Sequence, residues 1–150
     1  MTRASPTADD GVPEEAVLKR LRIPFVRKAV LVRAAGREDV FVIDLGLEGV
    51  FIERADELPV GEEGDLTLPW PGSEVPLRAV CRVAWWHPAD EKLASKTLPA
   101  GAGLQFTQMS QGDRDRLRAY LEDYCRQDSR VRRFLRHWPD AERVGDDPGA

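Results

Sequence analysis

The sequence predicts a small antiparallel β-barrel of about six strands closed by one or two C-terminal helices, an all-β-dominated fold. Three observations carry that expectation. Short apolar or alternating runs recur between residues 25 and 109. Glycine and proline punctuate them at nearly every junction. An amphipathic stripe, Leu117, Tyr120, Leu121 and Tyr124, then follows at helical spacing. A chain of 150 residues with 42% hydrophobic and 32% charged content suits one domain with a real core. The expected layout is a disordered tail over residues 1–13, a barrel with its closing helix over 14–126, a helical extension over 127–140 and a second tail over 141–150.

Taken in order, residues 14–21 suit a short helical turn, with Glu14 and Glu15 early and Lys19 and Arg20 late, as the helix dipole favours. Pro24 ends it, and residues 25–33 read as the first strand. Ala34, Ala35, Gly36, Arg37 and Glu38 form a hairpin-like connection to residues 39–53, DVFVIDLGLEGVFIE. There two apolar runs flank a turn marked by Gly46 and Gly49, positions that admit positive φ or a close backbone approach. Residues 55–65 are acidic and loop-like. Leu66, Leu68 and Trp70 alternate with polar positions, and Pro69 suggests a sheet edge. Residues 74–86 alternate most cleanly: Val75, Leu77, Ala79, Cys81, Val83 and Trp85 share one face. Alternation therefore places Trp86 outside, as a candidate partner-surface anchor. After a long loop over 87–101, residues 103–109 form the last strand, and Ser110 to Asp113 resembles a helix-starting capping box. A second stripe, Val131, Phe134, Leu135 and Trp138, continues the helical pattern beyond Asp128 and Ser129.

Composition excludes several functions. No apolar run approaches the roughly 18 residues that span a bilayer, and the first 16 residues lack the apolar centre of a secretory signal, so a cytoplasmic protein without membrane insertion is expected. Net charge of −4 argues against DNA or RNA binding. Cys81 and Cys125 are expected as free thiols, Cys81 within a strand core. His87 and His137 have no metal-ligand partner at a recognised spacing, and no nucleophile elbow, P-loop or dinucleotide fingerprint occurs. The carboxylates Glu53, Asp56, Glu57, Glu62, Glu63 and Asp65 read as a solvated face. The chain reads as a non-enzyme without a cofactor.

What remains is a basic group, Lys19, Arg20, Arg22, Arg27, Lys28 and Arg33, ahead of a turn that carries Asp44. Arginine grips phosphate or a guanine edge in a bidentate way, and Asp accepts from guanine N–H donors. The same features also suit a solvated patch and an Asx turn. Asp44-Leu45-Gly46-Leu47-Glu48-Gly49 followed by Val50-Phe51-Ile52, with Arg22 upstream and the later segments 80–85 and 101–106, resembles the PilZ domain. The resemblance covers residues 19–124 and implies a six-stranded barrel with a C-terminal helix, a receptor for cyclic di-GMP, and an RxxxR and [D/N]xSxxG ligand motif. Here Leu18 stands where the first arginine would be, and Gly46 replaces the serine. If the ligand is retained, Lys19, Arg20, Arg22, Asp44, Gly46 and Gly49 are the residues expected to meet it.

Two readings follow from that departure. One is a regulatory domain that works through protein contacts, its cyclic di-GMP binding weak or lost, in bacterial motility, polarity or envelope control. Its partner surface would be Trp86, Val131, Leu135 and Trp138, and the heptad-like helical spacing allows a homodimer. The other is a working cyclic di-GMP receptor that switches a partner.

Overall fold

In a computed structural model, which describes residues 18–88 and 99–127, six antiparallel strands close into a barrel. They are β1 (Arg22–Arg33), β2 (Gly36–Gly46), β3 (Gly49–Glu53), β4 (Glu63–Leu68), β5 (Leu77–His87) and β6 (Gly101–Gln108). Going round the barrel the order is β1-β2-β3-β6-β5-β4, and β4 pairs back onto β1. Helix α1 (Gln111–Gln127) follows. Residues 18–20 are the described part of the predicted first helical turn. The two tails and the extension that carries Val131, Leu135 and Trp138 lie outside the described residues.

The alternation of the strands builds the core. Ile23, Phe25, Ala29 and Leu31 of β1, Val40, Val42 and Leu45 of β2, and Val50 and Ile52 of β3 point inward. Leu77, Ala79, Cys81 and Val83 of β5 meet Ala102, Leu104 and Phe106 of β6 in the same interior. Leu117, Leu121 and Cys125, one face of α1, seal the barrel, with Tyr120 and Tyr124 packed beside them. Phe25, Trp70 and Tyr120 form a ring cluster under the helix at centroid separations of 5.1–5.6 Å. The helix start follows the capping logic: Asp113 N–H donates to Ser110 Oγ at 3.1 Å. Both cysteines are buried, with no disulfide among the described residues, and burial pushes the Cys81 thiol up to about 12.

Four expectations are corrected. The first strand starts at Arg22, three residues early, because the chain on both sides of Pro24 pairs with β2. The strand before Pro69 is no edge: it pairs with β1 and β5, and the barrel has no edges, while Pro69 falls just past it. Gly46 and Gly49 do not adopt positive φ; among the described glycines only Gly36, Gly61 and Gly72 do. Finally, Trp85 is 43% exposed, whereas Trp86 packs partly buried against the core. A bulge between Val83 and Trp85 inserts one residue against β6 and inverts the inside–outside parity of everything after it. Trp86 is therefore not the outward tryptophan; Trp85 is.

Candidate functional site: the outer face around Arg22 and Asp44

The turn between β2 and β3 is built by close approach. A β-carbon on Gly49 would sit 2.1 Å from the Leu104 carbonyl oxygen, so only glycine lets β3 lie against β6 there. At Gly46 the crowding is different. A β-carbon would meet Arg22 Cδ and the Leu21 carbonyl oxygen, each at 2.9 Å, and Arg22 Nη1 at 3.1 Å. Arg22 and Gly46 are partners across the β1–β2 ladder, and the arginine side chain lies across the bare α-carbon opposite it.

From that position Arg22 Nη1 donates to the Gly49 carbonyl at 3.3 Å, and Nη2 lies 2.8 Å from Asp44 Oδ1. The second contact is charge without direction. Asp44 Oδ1 is buried, and among the described residues no donor meets it with hydrogen-bond geometry despite the short distance. The pair sits near the surface, with side chains 41% and 25% exposed. It thus holds a cation and an incompletely satisfied acceptor side by side.

Only part of the predicted basic group converges here. Lys19 and Arg20 are exposed and make no ion pair with a described residue. Arg27 lies over the Phe25 ring at 5.7 Å, and Lys28 pairs with Asp39 at 3.6 Å. Arg33, at the far end of β1, contacts Glu38 at 3.1 Å and Glu62 at 3.0 Å, and Arg54 joins Glu38 at 2.8 Å. Hydrogen bonds from Arg54 and then Arg33 hold the Glu38 carboxyl below its ordinary value. The acidic loop is accordingly not all solvated: Glu62 is tied into this network, and Leu58 is buried in the core. Leu18, four residues before Arg22, is fully buried in the core and offers nothing to a ligand.

One aromatic pair near the site escaped the strand pattern. Phe51 is buried although its neighbours Val50 and Ile52 take the interior, so its ring lies on the outer face. It stacks on Trp85 at 5.3 Å, and the Trp85 indole covers Gly103, whose β-carbon would strike it at 2.0 Å. Partner residues run Pro24–Asp44–Phe51–Gly103–Trp85 across five strands. The aromatic pair thus shares a row with Asp44. The alternating glycines 101 and 103 were the sequence signal for it, since they leave the outside of β6 bare for rings from β3 and β5.

Among the described residues no group of three His, Cys, Asp or Glu side chains stands ready to hold a metal. No helix among them is long and apolar enough to cross a membrane.

Comparisons with known proteins agree with this architecture. The chain is similar to the inhibitor of motility MotI/DgrA of Bacillus subtilis, with 18% identity and a TM-score of 0.57 over 69% of this chain and 48% of that one. It therefore spans about half of that protein's length. It is also similar to the PilZ domain of CeSA from a cellulose-synthesizing bacterium, at 12% identity and a TM-score of 0.48 over 69% of this chain and 97% of that one. No curated protein sequence matches it. The family model for the PilZ domain matches residues 19–123, well over half of the sequence, and the chain belongs to the PilZ domain family.

Proposed function

We propose that this is a non-enzymatic PilZ regulatory domain that acts through protein contacts and whose cyclic di-GMP site has been weakened to the point of little or no binding. The observation that carries this reading is the state of Arg22. It is committed to Asp44 and the Gly49 carbonyl, across a glycine, with a buried leucine at the position of the arginine that would assist it. A ligand must displace that arrangement with one arginine in place of two. Each charge-assisted hydrogen bond contributes about 1.5–3 kcal/mol, so losing two such groups weakens a micromolar site to roughly millimolar. The similarity to a motility inhibitor supports a place in motility control, as does the exposed Trp85 a surface for a partner.

A second reading, a working receptor for cyclic di-GMP, draws on the row that puts Asp44 and the exposed Trp85 on one face, with an unsatisfied carboxylate oxygen facing a cation. Isothermal titration of cyclic di-GMP into the wild-type protein, with Arg22→Ala as control, separates the two. The proposal expects no saturation in the micromolar range. Micromolar heat that disappears in Arg22→Ala would replace it with the receptor reading.

A further inference from the structure

The geometry points to Gly46 as the positioning residue for Arg22: we infer that its missing side chain provides the seat in which the guanidinium stays self-paired, and that this seat holds down nucleotide affinity. The inference rests on reading the face as a weakened cyclic di-GMP site.

Two of the three sides of the seat are fixed. The Gly49 carbonyl that accepts from Arg22 belongs to a turn pressed onto the Leu104 carbonyl, where even a β-carbon does not fit. Asp44 stands on β2, paired with both Pro24 of β1 and Phe51 of β3. The third side is the α-carbon of Gly46, over which Arg22 Cδ and Nη1 lie. A side chain at 46 meets the flexible arginine stem and the Leu21 carbonyl, just outside the first residue of β1, where the ladder ends. The Leu21 carbonyl is backbone, held between the buried Leu18 and the ladder, whereas Arg22 Cδ and Nη1 belong to a flexible side chain, so it is the arginine that gives way.

Seated, Arg22 directs a donor to a backbone carbonyl and its charge to Asp44. A guanine nucleotide needs the opposite: the guanidinium turned to its phosphate or base, and the Asp44 oxygens open to its N–H donors. Binding must first empty the seat, and the apparent affinity falls by the fraction of molecules in which it is empty. Gly46 therefore contributes more than the absence of a hydroxyl. It stabilises the conformer that does not bind.

The test uses the ¹⁵N-labelled chain with Gly46→Ala and Gly46→Ser, each checked for a cooperative thermal transition. The Arg22 Nε–Hε resonance is assigned by its loss in Arg22→Ala. In both variants it is expected to shift away from its wild-type position, as the pairing with Asp44 is lost. Cyclic di-GMP is expected to bind Gly46→Ser about tenfold more tightly than wild type, the size of one charge-assisted bond released. No such gain is expected in Arg22→Ala/Gly46→Ser. An unmoved Arg22 resonance in folded variants would overturn the seat, as would a gain in affinity that survives removal of Arg22. A moved resonance with every variant silent toward the nucleotide would overturn the link to affinity, while leaving the weakened-site reading intact.

Discussion

Strand β1 begins and ends on an arginine, and each faces a glycine of β2: Arg22 opposite Gly46, Arg33 opposite Gly36. The two ends nevertheless differ. Arg33 is 12% exposed, donates to both Glu38 and Glu62, and through Glu38 is linked to Arg54, which anchors the loop between β3 and β4. Its pKa is raised, chiefly by the hydrogen bond with Glu38. Arg22 is 41% exposed, has one carboxylate, and approaches it without a directed hydrogen bond. Residue type and strand are the same; the number of partners and the access of water decide whether an arginine ties several elements of the fold together or holds only a local pair near the surface. Charged pairs removed from water are strongly coupled to stability, while exposed ones contribute about 0–1 kcal/mol.

The largest expected effect separates the frame of the site from its reactive groups. Gly49→Ala places a β-carbon 2.1 Å from the Leu104 carbonyl, so β3 and β6 must part. A loss of more than about 3 kcal/mol by urea denaturation is expected, or failure to fold. Wild-type-like stability would show that the turn is looser than described.

At the other end, Glu38→Ala leaves Arg33 and Arg54 without their shared acceptor. Its expected cost is about 2 kcal/mol, below the figure for a fully buried pair because the Glu38 side chain is 28% exposed. The same carboxyl gives the smallest effect, a pH dependence. Its folded pKa lies below the ordinary glutamate value, so its contribution is fully present above that ordinary value and is lost as pH falls through the lowered one. Denaturation midpoints should therefore fall more steeply with acid in wild type than in Glu38→Gln; parallel curves would mean that Glu38 is not the linked group.

Much of this was legible in the chain. Apolar alternation and glycine or proline breaks gave six strands in the right order, and Ser110 marked the start of the helix. The misses have physical causes. Barrel closure removed the edge that Pro69 suggested, because pairing of β4 with β1 joins residues far apart in sequence. The bulge before Trp85 leaves no mark within its own strand; only the bare Gly101 and Gly103 on the facing strand hint that a ring must lie outside. At the candidate site, Arg22 and Asp44, singled out in the sequence from a basic cluster and a turn carboxylate, do lie together, 2.8 Å apart. Lys19 and Arg20 were grouped with them by sequence proximity, but neither pairs with Asp44. Gly46 was read as a lost hydroxyl, and its steric relation to Arg22 emerges only when β1 is laid beside β2.

The most direct test of the contrast between the two ends is urea denaturation of Arg22→Ala and Arg33→Ala measured side by side. The account predicts that Arg33→Ala loses about 2 kcal/mol while Arg22→Ala stays within about 0.5 kcal/mol of wild type. Equal losses, or a larger one for Arg22→Ala, would contradict it and make Arg22 a part of the frame.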